Sequence, residues 1–332
     1  MTVKEIAKLA GTSRGTVDRV LNGRGNVSPE LERRVRDIAQ SAGYRPNQLA
    51  RALINSRKRI KIGVVISSLG NPFFDEVLSG IENRANKLSS YGVELSLRKT
   101  RGYAVQNQLD AIKELVDSGI DGLAIVPINV PEVKELLSQL TIPIVTFNND
   151  IDIKKLAFVG CDYYNSGALS GDLAKLILSG GGTAAAVVGS FNIAGHRSRI
   201  EGFTQSFSER PDIKVAATLE NDDDDRRSYD LVKELIETKK PNLIYFGAGG
   251  ISGGIRAVLE SGEDIKVLAV DNTETVRRYL MDGSIAATVT QQPFYQGDNA
   301  IRVLYEYLAD GKRPEEETIY TENQIMLRSS VL

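Results

Sequence analysis

From Ile60 onward the chain alternates between short apolar runs and longer amphipathic stretches. The runs are 62–66, 93–97, 122–126, 142–147, 184–188, 243–246, 267–270 and 286–289, rich in Val, Ile and Ala and bounded by turn residues. Runs of this length and composition predict buried strands. Between them, 74–88, 106–117, 166–178 and 229–238 carry apolar residues at helical spacing. Strand and helix in alternation predict βαβ units and parallel sheets. Residues 60–332 are too many for one comfortable core, so the pattern predicts two lobes.

The first 46 residues read differently, as short helices with punctuation. Thr2 and Glu5 have capping-box spacing, and Val3, Ile6, Ala7 and Ala10 share one helical face. Gly11 and Thr12 interrupt that helix. A second run from Ser13 to Asn22 turns Val17, Val20 and Leu21 inward and leaves Arg14, Asp18 and Asn22 outward. Ser28-Pro29 opens a third helix, striped by Leu31, Val35, Ile38, Ala39 and Ala42 and stopped at Gly43. Three helices around a small core, the first two joined by a glycine-containing turn, fit a helix-turn-helix. The stretch 46–55 is helix-compatible, with Leu49, Ala50 and Leu53 on one side. It is too short to be stable alone in water, so it is expected to fold only when held.

Charge separates the same two regions. The chain of 332 residues carries a net charge of -2, but residues 1–59 hold 13 Lys/Arg against 5 Asp/Glu, and the remainder holds 28 against 38. A basic front on an acidic body implies that the front meets a polyanion. One cysteine, Cys161, and one histidine, His196, leave no internal disulfide and no Cys/His zinc cluster. No signal-peptide pattern opens the sequence and no run approaches the length of a membrane span, which predicts a cytoplasmic protein.

Residue identity narrows the front further. Val3-Lys-Glu-Ile-Ala7, Ala10-Gly-Thr-Ser-Arg-Gly-Thr-Val17, Arg19-Val-Leu-Asn22 and Gly43-Tyr-Arg-Pro-Asn47 resemble the DNA-binding headpiece of the LacI/GalR family of bacterial regulators. The resemblance implies base reading at Arg14, Gly15 and Arg19, with Ser13, Thr16 and Asn22 near phosphates or groove edges. Gly15 departs from the pattern, since it has no side chain to read with. Arginine grips guanine bidentately, so Arg14 and Arg19 are the specificity candidates. The same resemblance makes 47–59 a hinge helix and linker that pairs with its twin, contacts DNA through Asn47 and Ala50, and wedges Leu53 into the minor groove.

Ligands of open parallel sheets bind beyond the carboxyl ends of the strands. The loops there read Ser67 to Asp75 with its Asn-Pro-Phe-Phe block, Asn148-Asn-Asp150, Gly195 to Phe203, Asp271-Asn272 and Gln291-Gln-Pro293. Aromatic faces beside amides, carboxylate and arginine suit a polyhydroxyl ligand. These blocks resemble the periplasmic-binding-protein-like effector domain of the same family, near its ribose-receptor-like branch. The resemblance implies ligand contacts at Asn71, Phe73, Phe74, Asn148, Asn149, Arg197, Arg199, Asp271 and Gln291. Asn148 and Asn149 stand where ribose receptors commonly show Asp-Arg, and the loop from Gly247 lacks the polar residue often found there, so the ligand is expected to differ from ribose.

Gly247 to Gly254 nearly imitates a dinucleotide fingerprint, but Ser252 takes the third glycine position. The run Asp222–Asp225 lacks the pattern of an EF-hand and reads as a solvated acidic turn. The expectation is thus a small all-α helix-turn-helix domain (1–46), a hinge (47–59) and an α/β two-lobed periplasmic-binding-protein-like domain with parallel sheets (60–332). Its expected role is that of a regulator, a repressor acting as a homodimer on palindromic operator DNA under control of a small sugar or polyol, with no cofactor and no membrane partner. A solute receptor for sugar transport and a cofactor-dependent sugar enzyme are the alternatives.

Overall fold

A computed structural model of the chain describes residues 2–21, 27–42, 59–67, 71–100 and 104–331. The candidate DNA contacts Asn22, Asn47, Ala50 and Leu53 lie outside the described residues. The chain divides into two compact units at residue 60.

The first unit holds α1 (Val3–Leu9), α2 (Arg14–Leu21) and α3 (Pro29–Ser41). The capping box at Thr2 is present in full: its hydroxyl accepts from the Glu5 amide, and Glu5 accepts from the Thr2 amide. Ser13 starts α2, its hydroxyl accepting from the Thr16 amide at 3.1 Å. Ser28 sits at the cap of α3 without a side-chain hydrogen bond, so Pro29 carries that start. Ile6, Ala7, Ala10, Val17, Val20, Val35 and Ala39 form the buried core. A Cβ placed on Gly15, within α2, would meet nothing nearer than the Ser13 hydroxyl at 3.8 Å. Gly15→Ala is therefore expected to raise the stability of this unit by about 0.5–1 kcal/mol by removing backbone freedom from the unfolded chain. Urea unfolding followed by circular dichroism checks it, and an unchanged or lowered midpoint would count against a helical Gly15.

The second unit contains two six-stranded sheets. The first runs β11-β5-β4-β3-β1-β2, with β1 (Ile60–Ile66), β2 (Val93–Lys99), β3 (Gly122–Ile125), β4 (Ile144–Phe147), β5 (Ala157–Cys161) and β11 (Thr318–Thr321), all parallel. The second runs β12-β10-β9-β8-β6-β7, with β6 (Gly182–Val188), β7 (Ile213–Glu220), β8 (Leu243–Phe246), β9 (Lys266–Val270), β10 (Ala287–Thr290) and β12 (Gln324–Met326). Only the short β12 is antiparallel to its neighbour. Central strands such as β3, β4 and β8 are buried throughout, as their continuous apolar runs require.

The helices are α4 (Phe73–Ser89), α5 (Val105–Asp117), α6 (Pro131–Gln139), α7 (Tyr163–Ile177), α8 (Ala194–Gln205), α9 (Asp225–Lys239), α10 (Ile251–Ser261), α11 (Glu274–Asp282) and α12 (Pro293–Asp310). After β5 the chain passes to the second sheet, where α7 packs on β9 and β10; α12 returns to the first, on β3, β4 and β5. The step from β11 to β12 crosses once more. Three crossings leave two lobes joined by short segments, with the carboxyl ends of both sheets facing one cleft.

Two glycine clusters set close contacts near that cleft. A Cβ on Gly167 of α7 would fall 1.9 Å from the Arg199 carbonyl oxygen, and one on Gly202 of α8 would fall 2.1 Å from that of Tyr164. The bare backbones let α7 and α8 touch, which brings Tyr163 and Arg199 together. In the glycine run after β8, a Cβ on Gly253 would fall 1.6 Å from the Asp225 carbonyl oxygen. That glycine serves the packing of α10 against α9, a use a dinucleotide fingerprint does not require.

Candidate functional site

Between the lobes lies a cavity enclosing about 500 Å³ of space, its mouth included. The first lobe lines it with Asn71, Phe73 and Phe74 after β1, Asn148 and Asn149 after β4, and Tyr163 after β5. The second contributes His196 and Arg199 after β6, Asp223 after β7, Asp271 after β9 and Gln291 after β10. Eight of the nine residues expected from the sequence line this cavity. Arg197 does not: its guanidinium donates to the Phe191 carbonyl on the exposed side of α8. Helical positions two apart lie on nearly opposite sides, so a helix starting at Ala194 can turn only one of Arg197 and Arg199 inward.

The backbone at the strand ends explains the residue types. Asn148, Asp223 and Asp271 all have left-handed backbone, with φ of 59°, 57° and 70°. Asn and Asp tolerate that region better than other non-glycine residues, and such geometry clusters where a side chain must be aimed. Asn71 turns back to accept from the Phe73 amide at 3.1 Å, which starts α4 and stands Phe73 and Phe74 edge to face with centroids 5.1 Å apart.

Several lining groups are already committed. The Asn149 amide donates to the Pro127 carbonyl and accepts from the Gly195 amide of the other lobe at 3.3 Å. Gln291 donates to Asp271 Oδ1 at 2.6 Å while its own oxygen accepts from the Cys161 thiol at 3.2 Å. Both therefore position neighbours rather than offer free groups. The buried Gln108 acts similarly, donating to Ser67 Oγ at 2.6 Å and the Val126 carbonyl at 2.9 Å, which ties the ends of β1 and β3 together.

Arg199 is different. It is 2 % exposed, donates through one terminal nitrogen to the Gly247 carbonyl at 2.6 Å, and stacks its guanidinium 4.9 Å from the Tyr163 ring centroid. Its Nε and second terminal nitrogen are buried without a partner. Burial alone pulls its pKa down, but Tyr245, Cys161, Asp271 and Tyr163 around it hold it above the ordinary arginine value. A buried charged donor left unsatisfied is costly.

The other titratable groups are set by the same dry surroundings. Burial pushes the Asp271 carboxyl up to about 6, against the opposing pull of Arg199 and Gln291. It presses His196 down to about 4, with Asp223 acting the other way. Burial also pushes the Cys161 thiol up to about 12.

Tyr163 and Asp223 were not among the expected site residues. Asp223 belongs to the acidic run expected to be a solvated turn; Asp222, Asp224 and Asp225 are exposed accordingly, and Asp223 alone is half-buried. Its Oδ1 accepts from the Gly249 amide at 2.8 Å, and its Oδ2 accepts from Asn71 across the cleft at 3.4 Å. Its neighbours Asp224 and Asp225 accept from the Arg227 and Gly253 amides. Backbone amides, not water alone, hold this turn.

In the first unit, Ser13, Arg14, Gly15 and Arg19 are exposed on the outer face of α2, and Thr16 is half-buried beside them. Arg19 Nε lies 3.3 Å from the Gly15 carbonyl oxygen, and the Ser13 and Thr16 hydroxyls are 2.9 Å apart. The two arginines and the small residues between them thus share one surface.

Family models match both units. The periplasmic binding protein domain matches residues 62–313, and the model of bacterial regulatory proteins, lacI family, matches residues 2–47. The chain belongs to the periplasmic binding protein domain family, fronted by a lacI-family headpiece. The chain is 29% identical over 324 residues to catabolite control protein A of Priestia megaterium, covering 93% of this chain and 92% of that protein. It is 27% identical to the HTH-type transcriptional repressor PurR of Aliivibrio fischeri, covering 100% and 98%. Among solved structures, a glucose-galactose binding protein from Geobacillus stearothermophilus superposes on this chain with a TM-score of 0.76 at 23% identity, covering 82% of this chain and 98% of that one. A solute binding protein from Bacillus halodurans with bound myo-inositol gives 0.75 at 20%, covering 82% and 96%. These likenesses establish the two-lobed fold. No helix among the described residues is long and apolar enough to cross a membrane.

Proposed function

We propose that this protein is a cytoplasmic transcription regulator, a repressor, that binds a palindromic operator as a homodimer and changes its hold on DNA when a small sugar or polyol occupies the cleft. The observation that carries the reading is the presence, in one chain, of exposed arginines on α2 and of a cleft on whose wall two nitrogens of the buried Arg199 lack acceptors. Residues 1–46 read the operator, 47–59 form the hinge, and 60–332 bind effector and dimerise. The ligand contacts are Asn71, Phe73, Phe74, Asn148, Arg199 and Asp271, with Tyr163 and Asp223 added, and Asn149 and Gln291 holding them in place. An effector that prefers one lobe arrangement shifts the population of that arrangement, and the hinge helices respond to it.

The chemistry of the cavity supports a sensor over an enzyme. A thiol pushed up to about 12 is a poor nucleophile, and a histidine pressed down to about 4 is a weak base at neutral pH. Neutral-sugar receptors for transport share the body, but the headpiece gives this chain a use on DNA.

A gel shift against operator and random DNA across a salt series tests the reading. Counterion release predicts a steep fall of affinity with salt. Arg19→Ala is expected to weaken operator binding by about 1–3 kcal/mol and random-DNA binding far less, because only the operator offers the guanine edge the side chain reads. Equal losses on both DNAs would make Arg19 a phosphate contact instead.

A further inference from the structure

The inner cavity does not end at Asp271 and Asp223. A second chamber, enclosing about 560 Å³ with its mouth, lies against it and shares the walls Asn71, Asp223, Ala248, Gly249 and Asp271. Beyond them it is lined by Pro72, Asp225, Gly250, Ile251, Ser252, Thr273 and Thr275. What parts the two chambers is slight. On one side stands the Asn71 to Asp223 contact at 3.4 Å, at the outer limit of a hydrogen bond. On the other runs the loop Gly247-Ala-Gly-Gly-Ile, which presents backbone, the Ala248 methyl and the apolar Ile251 where other strand-end loops present large polar side chains. A Cβ on Gly249 would fall 2.9 Å from Asp223 Oδ1, so this opening is held by the same contact that aims Asp223.

The lining of the outer chamber has its own chemistry. Asp225 Oδ1 accepts from the Gly253 amide, and the Thr273 hydroxyl caps α11 by accepting from the Val276 amide. Ser252 at the start of α10 and Thr275 at the start of α11 are half-buried, and both sit on the wall of the chamber. Pro72, from the other lobe, offers an apolar edge of the kind that meets sugar C–H surfaces. The only large aromatic rings on the described cavity wall, Phe73, Phe74 and Tyr163, belong to the inner chamber.

From this we propose that the outer chamber is a second saccharide subsite, so that the effector is a disaccharide or larger glycoside with its first ring against Phe73, Phe74 and Arg199 and its second against Ser252 and Thr275. The proposal rests on the sugar reading above and adds the length of the ligand. The small hydroxyl and carboxylate lining favours a second polyhydroxyl ring over an aromatic aglycone. The loose Asn71 to Asp223 contact gives way to the glycosidic link, whose flanking hydroxyls take over its hydrogen bonds.

Calorimetry on the full chain tests it with D-glucose, D-galactose, D-ribose and myo-inositol against maltose, cellobiose, lactose, melibiose and trehalose. At least one disaccharide is expected to bind about ten-fold or more tighter than either of its own monosaccharides, a gain of about 1.4 kcal/mol. Ser252→Trp, which fills the outer chamber, is expected to remove that gain while leaving monosaccharide affinity within about three-fold. Thr275→Trp, from a different helix, is expected to do the same and stands in if the first variant does not fold. The subsite is overturned if monosaccharides bind and no disaccharide exceeds them, or if a folded variant weakens both classes alike. If no saccharide of either class binds, the sugar reading itself falls, which is a separate result.

Discussion

Replacing Arg199 with lysine is expected to weaken effector binding about a hundred-fold or more, roughly 3 kcal/mol, while DNA binding by the effector-free protein stays at the wild-type level. Lysine keeps the charge, so the loss isolates geometry. The guanidinium donates to Gly247, lies over the Tyr163 ring and keeps two further buried nitrogens without a partner. An ammonium cannot match this arrangement, because its donors splay from one atom and it has no planar face. Calorimetry with a saccharide that stabilises the wild type, paired with a gel shift with and without that saccharide, reads both halves. Wild-type affinity in the lysine variant would take the guanidinium out of contact with the ligand.

The site residues that escaped the sequence reading share a cause. Tyr163 follows β5 and Asp223 follows β7, and neither strand stood out as an apolar run. β5 is buried throughout, but Gly160 breaks its apolar run, while β7 is an edge strand, partly exposed along most of its length and interrupted by Lys214. Periodicity reports burial, and an edge strand is only half buried. Because every lining loop follows a strand end, a missed strand hides its ligand residue as well. Asp223 was further masked by the acidic run around it, whose inward aim depends on left-handed backbone at Asp222 and Asp223 and on the Gly249 amide. Those are tertiary facts with no local signature.

What the sequence did carry is equally specific. The eight apolar runs all became strands of the two sheets, and Asn71, Phe73, Phe74, Asn148, Arg199 and Asp271 sit where strand-end logic puts them. Arg197 and Arg199 show the resolution limit: two residues apart in one motif, they diverge once the helical turn is fixed. Asn149 and Gln291 show another, since reaching the cavity wall is not the same as having a hydrogen bond to spare.

The acid-base pair in the cavity yields the second large effect. Asp271 has its folded-state pKa raised to about 6, so the folded protein holds a proton that the unfolded chain has already lost between about pH 4 and 6. Its contribution to stability therefore falls as pH rises through that window. His196 has its folded-state pKa lowered to about 4, so the unfolded chain takes up a proton that the folded protein refuses between about pH 4 and 6.5. Its contribution rises over nearly the same window, and the two slopes offset each other in the wild type. Asp271→Asn removes the falling slope. The effector-free variant is expected to gain stability from pH 4 to 6.5 and to exceed the wild type at pH 7.5 by about 2 kcal/mol, allowing for the partial exposure of the site. His196→Asn leaves the falling slope alone, so its stability relative to the wild type is expected to drop over the same interval. Urea unfolding at half-unit steps from pH 4 to 8 separates the three profiles. Parallel curves for wild type and both variants would mean that neither group titrates differently in the folded cavity and in the unfolded chain.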